Sequence, residues 1–283
     1  MILAVINIYL PGLYEKYIAS NVKILLDSGV YVLLNLNDEK GLSEYQKEFD
    51  FLKNDHVFVL NNKRNTMPGY GFNEGMRLAL KKNFDYCFFV DQDSIVSEKT
   101  VEEIKRHIAS CTDFSFLATK IKDEKGKQTL RYFRGNLSKS MTFYSVPLKK
   151  YCNDPKINAA GYSGIIVKMS VVRNNHIYIN ETMGIELDDY DFTYRLSKVV
   201  PGYLMNSAVI THPNKKKNRN NRFGELVDAF SLLYFLDRSG RDKKHVENYR
   251  YLIGKYGVGV IKQFKMFLMH SVYIEKFLKK TKK

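Results

Sequence analysis

The sequence predicts an α/β protein: a mostly parallel central sheet covered by helices, followed by a C-terminal helical extension. Three observations carry this expectation. Short apolar runs alternate with amphipathic segments from the first residue to Asp93. Those runs are rich in β-branched and aromatic residues and end in polar, turn-forming ones. From Phe223 onward the periodicity is helical, with no further strand signal.

Each element follows from its residues. Ile2 to Leu10 is a short apolar run closed by Pro11-Gly12, hence a buried strand and a loop. Tyr17, Ile18, Val22, Leu25 and Leu26 fall on one side of a helix over 14–27, which Gly29 stops. Val30 to Leu36 is a second buried strand, 43–52 a polar helix, and His56 to Leu60 a third strand. A polar loop over 61–71 leads to a helix over 72–82, and Tyr86 to Val90 is a fourth strand. The stretch 114–158 is irregular, 159–169 reads as a strand around Gly161 and Gly164, 189–197 opens a helix, and 203–211 is a strand ending in His212-Pro213. Helices are expected over 226–237, 245–255 and 258–280. The break at 213–223 divides a first domain, 1–222, from an extension, 223–283. In such sheets ligands bind at the carboxyl ends of the strands, which points to the loops after residues 10, 36, 60 and 90.

Composition narrows the function classes. Of 283 residues, 45% are apolar and 27% charged, which supports a sizeable core and excludes a disordered chain. The net charge of +15 is concentrated in residues 215–222 (KKKNRNNR) and in 262–283, which holds seven Lys against Glu275. A uniformly basic coat for nucleic acid is thereby disfavoured, and two local anion-seeking segments are favoured. Cys87, Cys111 and Cys152 form no zinc spacing and read as reduced thiols of a cytosolic protein. The opening MILAVINIYL lacks the features of a signal peptide, and no apolar run reaches the ~20 residues needed to span a bilayer.

Four groups of residues carry chemistry. Asp91-Gln92-Asp93 follows a wholly apolar strand. Two carboxylates this close resist joint ionisation unless a cation lies between them, and Mn²⁺ or Mg²⁺ bridging to a phosphate would resolve the conflict. The plainer alternative, which the preceding strand disfavours, is that Asp93 or Ser94 caps the next helix. The glycine-rich stretch from Asn65 to Gly75, which includes Gly71 and Asn73, allows backbone to approach a ligand ahead of a helix N-terminus; alone it is a turn. Glu186 to Leu196 (ELDDYDFTYRL) places four acids within six residues. Arg195 stands four after Asp191, a structural ion pair, which leaves Asp188 and Asp189 for general-base work. An acidic, solvated first turn is the plainer reading of the same residues. His212 ends the last strand just before the basic run starting at Lys215, a combination suited to a leaving diphosphate; a structural histidine and a solvated loop are the alternatives.

Taken in order, "NTMPGYGFNEGMRLAL", "FDYCFFVDQDS", "YSGIIVK", "DDYDFTYRL" and "VITHP" resemble the family 2 glycosyltransferases with the GT-A fold, most closely the bacterial rhamnosyltransferase-like branch of surface-polysaccharide synthesis. The resemblance runs from residue 1 to about 240 and implies that 1–222 is a GT-A catalytic domain. It implies that Asp91 and Asp93 bind the ribose and the divalent metal on a sugar diphosphate, with His212 completing the metal shell. It implies Asp189 as the base that deprotonates an acceptor hydroxyl, with Asp188 where the pattern usually has Glu. Tyr9 sits where such enzymes contact the nucleobase, and Ser163-Gly164 near the donor phosphates. Asn35 occupies a place that usually carries an acid, and Met67-Pro68 one where small residues are commoner.

The implied reaction is an inverting single displacement by a rhamnosyl- or galactosyl-type hexosyltransferase, from a UDP- or dTDP-sugar to a lipid-linked oligosaccharide. Ile261, Phe264, Leu268 and Val272 recur at helical spacing beside Lys262, Lys265, Lys276 and Lys280. That tail suits an anionic membrane surface on the cytoplasmic side, or docking on the catalytic domain. A homo-oligomer is compatible with the sequence, and no nucleic-acid partner is expected. Two other classes stand beside the transferase: a nucleotidyltransferase, which would release pyrophosphate, and a basic nucleic-acid-binding protein, which would shift oligonucleotides in a salt-dependent way.

Overall fold

The computed structural model describes residues 1–9, 15–37, 50–126, 128–129, 132–133, 154–183, 188–213, 251 and 255. The first half alternates as expected: β1 (Ile2–Ile8), α1 (Glu15–Asp27), β2 (Tyr31–Leu36), β3 (Val57–Asn61), α2 (Met67–Lys81), β4 (Tyr86–Asp91) and α3 (Glu98–Ser110). Beyond these come β5 (Phe116–Lys122), β6 (Gln128–Thr129), β7 (Tyr132–Phe133), β8 (Lys156–Ile157), β9 (Ala159–Ala160), β10 (Ile165–Lys168), α4 (Met169–Asn175), α5 (Asp188–Val199) and β11 (Gly202–Thr211).

Nine strands form one sheet in the order β3-β2-β1-β4-β10-β5-β11-β8, with β6 on the flank of β5. Strands β3, β2, β1 and β4 are parallel neighbours, as are β5 and β11. Strand β10 runs against both β4 and β5, so it joins two parallel blocks that point the same way. The carboxyl ends of β1, β2, β3, β4, β5 and β11 therefore share one edge, and the reversed β10 begins there. Strands β7 and β9 form a separate two-stranded ribbon.

Both faces of the sheet are covered, as the unbroken apolar strands require. In β1, Ala4, Ile6 and Ile8 enter one core, together with Ile18, Val22 and Leu25 of α1 and Val101 and Ile104 of α3. Leu3 and Val5 enter the other, with Phe72, Met76 and Ala79 of α2 and Phe192 and Leu196 of α5. This is the strand period of two read directly in burial. Helix α1 ends as the sequence indicates. Gly29 is left-handed (φ +66°), and the N–H groups of Gly29 and Val30 return to the carbonyls of Leu26 and Leu25.

Several expectations need correction. Helix α2 starts at Met67, so most of the expected glycine loop is helix. Pro68 starts the helix readily, and the glycines serve close packing. A Cβ at Gly75 would lie 2.4 Å from Val5 Cγ2, and one at Gly71 would lie 1.9 Å from Asn35 Nδ2. The stretch 114–158 is not simply irregular: it contributes β5, one of the buried strands, and short β6, β7 and β8. Residues 159–169 are not one strand, because the chain passes from β9 through a turn with left-handed Gly164 (φ +79°) into β10. Helix α4 carries no strong sequence signal, being only Met169–Asn175. Of the polar helix over 43–52, the described part is a 3-10 turn at Asp50–Lys53. The helices expected after 223 lie outside the described residues, apart from Tyr251 and Lys255, both helical.

Candidate active site

Asp91 is the last residue of β4 and Asp93 follows in the turn. Strand β4 is held between β1 and β10, so its end is fixed at the carboxyl edge. His212 directly follows β11, and its N–H donates to the carbonyl of Lys122 at the end of β5 (2.8 Å). Its Nε2 lies 3.2 Å from Asp93 Oδ1 and 3.8 Å from Asp91 Oδ2. One ligand atom from each of the three residues falls within 4.8 Å of the others. All three side chains are partly exposed, and a ligand can reach them. Two carboxylate oxygens and an imidazole nitrogen suit Mn²⁺ or Mg²⁺. Bonds of about 2.1 Å at right angles put neighbouring ligand atoms roughly 3 Å apart, close to the His212–Asp93 spacing.

The turn itself is built from buried polar groups. Ser94 N–H returns to Asp91 O (3.0 Å). Buried Asn21 of α1 donates to Ser94 O (2.7 Å) and accepts from Val96 N–H (2.9 Å). Ile95 and Thr211 exchange both backbone hydrogen bonds, 2.7 and 3.1 Å, which pins the acidic turn to the strand carrying His212. Gln92, between the two acids, accepts from Tyr9 N–H (2.7 Å) and ties the end of β1 to the same place. The expected cap at Asp93 or Ser94 is not used. Ser97 caps α3, its Oγ accepting from Thr100 N–H at 3.2 Å, which leaves Asp93 facing His212.

A second acidic group lies on the first turn of α5. This helix precedes β11 and runs back across the sheet, so its N-terminus is at the carboxyl edge. Asp191 is fully buried; Arg195 Nε donates to its Oδ2 at 2.8 Å, the ion pair expected from spacing, and Lys255 Nζ to its Oδ1 at 2.8 Å. Asp188 is also buried, and Tyr162 Oη–H donates to its Oδ2 at 2.8 Å. Burial raises the Asp188 carboxyl to about 6, with nearby Asp191 adding to the rise and the Tyr162 hydrogen bond opposing it. The Tyr162 phenol is pushed well up by burial and by Asp188. Asp189 is partly exposed, and its Oδ1 accepts from Tyr190 N–H (2.8 Å). Tyr162 and its neighbour Ser163 connect the two acidic groups. Tyr162 holds Asp188, while Ser163 Oγ lies 2.7 Å from Ser94 Oγ beside the Asp91–Asp93 turn. The left-handed Gly164 lets that turn pass tightly over β5, since a Cβ would lie 2.0 Å from Thr119 Oγ1.

The ends of β1, β2 and β3 carry an amide network instead of acids. Asn35 donates to Asn7 Oδ1 (2.8 Å) and accepts from Asn62 (2.8 Å). Asn7 donates to Pro68 O (3.0 Å), and Asn37 Oδ1 accepts from Thr66 N–H (2.7 Å). Asn35 is thus buried behind the edge, and Gly71 lies against it. Asn73 also faces inward, exchanging hydrogen bonds with the backbone of Ile179 (both 2.9 Å). Tyr9 and Asn65 are exposed at the edge. Asn65 Oδ1 accepts from Met67 N–H (3.0 Å), steadying a left-handed residue (φ 67°) ahead of Pro68. Lys215 lies outside the described residues.

Sequence reasoning assigns no role to Gln92, Tyr162 or Lys255, and offers Ser94 only as a helix cap. Tyr162 and Ser94 stood within quoted motifs, but side-chain partners 26 and 69 residues away leave no local signal.

The fold and this edge define a glycosyltransferase of the GT-A class. Residues 1–349 of S. aureus TarS superpose with a TM-score of 0.55 at 15% identity, over 93% of this chain and 76% of that one. The same fragment in complex with UDP-GlcNAc gives 0.53 at 15% identity, over 94% and 78%. GalNAc-T7 with UDP, GalNAc and Mn²⁺ gives 0.56 at 11% identity, over 89% of this chain and 56% of that one. No curated protein matches the sequence. The profile of "Glycosyl transferase family 2" matches residues 17–170, and the chain belongs to that family.

Proposed function

We propose that the protein is an inverting glycosyltransferase that moves a sugar from a UDP- or dTDP-sugar to a hydroxyl of a lipid-linked glycan in capsule or cell-surface polysaccharide synthesis. The observation that carries this is the meeting of Asp91, Asp93 and His212 at the carboxyl edge, where α5 also begins with Asp188 and Asp189 in its first turn. The structural neighbours bound to UDP, UDP-GlcNAc, and UDP with Mn²⁺ support a nucleoside diphosphate donor and a divalent ion.

Asp91, Asp93 and His212 would hold Mn²⁺ or Mg²⁺, whose chemistry when bound is to offset charge on a departing diphosphate. Tyr9 and Asn65 face the nucleoside side, with Asn35, Gly71 and Asn73 fixing the wall behind them. Ser163-Gly164 shapes the floor beneath the phosphates. Lys215 and the basic run after it attract the released anion. Asp189, partly exposed, takes the proton of the acceptor hydroxyl as it attacks the face of the sugar opposite the leaving group. Asp188, held by Tyr162, sets the position of its neighbour. The basic tail 262–283 suits an anionic membrane surface, and among the described residues no helix is long and apolar enough to cross a membrane.

The test is a thermal-shift screen with UDP-, dTDP- and GDP-sugars, with and without Mn²⁺. A UDP- or dTDP-sugar at one hundred times its Kd should stabilise the protein by about 2.7 kcal/mol, with Mn²⁺ required. Asp93→Asn should remove the shift while keeping the unliganded Tm. Absence of any nucleotide-dependent shift, or one indifferent to Mn²⁺ and to Asp93→Asn, would reject the proposal.

A further inference from the structure

Lys255 belongs to the C-terminal extension, which the transfer chemistry above does not use, yet its side chain enters the acidic turn of α5. Its Nζ lies 2.8 Å from Asp191 Oδ1, while Arg195 Nε lies 2.8 Å from Oδ2. Asp191 has 0% exposure, so both carboxylate oxygens depend on partners within the protein. Arg195 stands one turn further along the same helix and is anchored in turn on Tyr178 O (2.6 Å). Lys255 arrives from 64 residues away. Tyr251, four residues before it, directs the ammonium: its Oη accepts from Nζ at 3.1 Å.

The two cations differ in what they can fix. Arg195 lies on α5 and ties Asp191 to the carbonyl of Tyr178, in the stretch that precedes the helix. Lys255 comes from outside the helix and locates the first turn relative to the rest of the molecule. That turn also carries Asp188 and Asp189, and three carboxylates within four residues repel one another. A second cation on the buried one offsets the crowding.

We infer that Lys255 is a positioning residue for the reaction: through the Lys255–Asp191 pair the C-terminal extension fixes the first turn of α5, and with it the carboxylate that takes the acceptor proton. This rests on the transferase reading. It gives Lys255 a part in supporting the active site, where sequence pattern alone allows the tail a membrane surface or docking on the catalytic domain.

The experiment compares the full-length chain with Lys255→Met, Lys255→Gln and Lys255→Arg. Two quantities are read: steady-state release of nucleoside diphosphate, and amide hydrogen exchange at Tyr190 to Thr193. Lys255→Met should lower kcat by about tenfold to a hundredfold, since a small displacement of a reacting group has that effect. The donor KM should stay within about twofold, because the groups proposed to bind donor are untouched. Exchange in the first turn should accelerate, and Lys255→Arg should restore both quantities. Lys255→Gln, which keeps a donor without the charge, stands in if Lys255→Met does not fold, and should fall between the two. Unchanged kcat and exchange in Lys255→Met, a parallel rise in KM, or failure of Lys255→Arg to rescue would each overturn the inference. If the wild-type chain releases no nucleoside diphosphate, the transferase reading fails, and the exchange measurement alone still decides whether Lys255 fixes the turn.

Discussion

Replacing Asp188 by Asn should stabilise the protein, and by more as pH rises. The Asp188 carboxyl is buried and titrates near 6 in the fold, against a usual value of 3.8. An acid whose folded value is raised binds its proton more tightly in the native state than in the unfolded one. Stability is therefore greatest while the group is protonated in both states, and it declines as pH climbs through the window from 3.8 to about 6. The full difference corresponds to about 3 kcal/mol, reached above pH 7, and about half of it is already present at pH 5. Asn keeps an acceptor for Tyr162 Oη–H (2.8 Å in the wild type) and carries no charge at any pH. The gap between Asp188→Asn and wild type should then roughly double between pH 5 and pH 8, to about 3 kcal/mol. Urea unfolding of both proteins at pH 5, 6, 7 and 8 measures it, and titrating groups that do not interact with Asp188 cancel in the difference. A gap that does not change with pH, or an Asn variant less stable than wild type at pH 8, would refute the account of Asp188 as a carboxylate held against its solvation preference.

Asp189→Asn should abolish transfer while leaving UDP-sugar affinity unchanged by calorimetry; joint loss of both with the fold intact would contradict its role as base. Treatment with EDTA should remove activity and Mn²⁺ or Mg²⁺ should restore it, whereas full activity in metal-free protein would release Asp93 and His212 from their proposed roles. Gly71→Ala should destabilise by about 2–4 kcal/mol, because the new methyl meets a buried hydrogen-bonded amide pair and its helix-propensity gain of about 1 kcal/mol is smaller. Denaturant unfolding reads this directly, and a stability equal to wild type would mean that the Asn7–Asn35 pair can move aside.

Much of this architecture was legible in the sequence because the first half obeys local rules. Strands β1, β2 and β4 are apolar runs that turn polar only near their carboxyl ends, at Asn7, Asn35 and Asp91, and the glycine after α1 supplies the left-handed stop. The Asp191–Arg195 pair followed from one helical turn of spacing. Legibility fell where meaning depends on distant partners. The glycines of α2 looked like a loop, since low helix propensity and a phosphate-binding turn share that composition; what they respond to is the proximity of Val5, Asn7 and Asn35 on the sheet. Strand β5 was missed because Lys120 and Lys122 interrupt its apolar pattern near the carboxyl edge. In the site, the carboxylates and histidine were identifiable by type and order. The groups that arrange them were not: Asn21 and Tyr162 are ordinary residues in sequence and acquire a role by reaching across the fold.

The reciprocal backbone bonds between Ile95 and Thr211 act as a clasp. They close a loop of more than a hundred residues and bring Asp93 and His212 together before anything binds. The span between them supplies β5, which pairs with β11, and β10, which pairs with β4, so the clasp is backed by the sheet on both sides. In the transferase proposed above, the corner that would hold the metal is therefore assembled by the fold itself and not by its ligand.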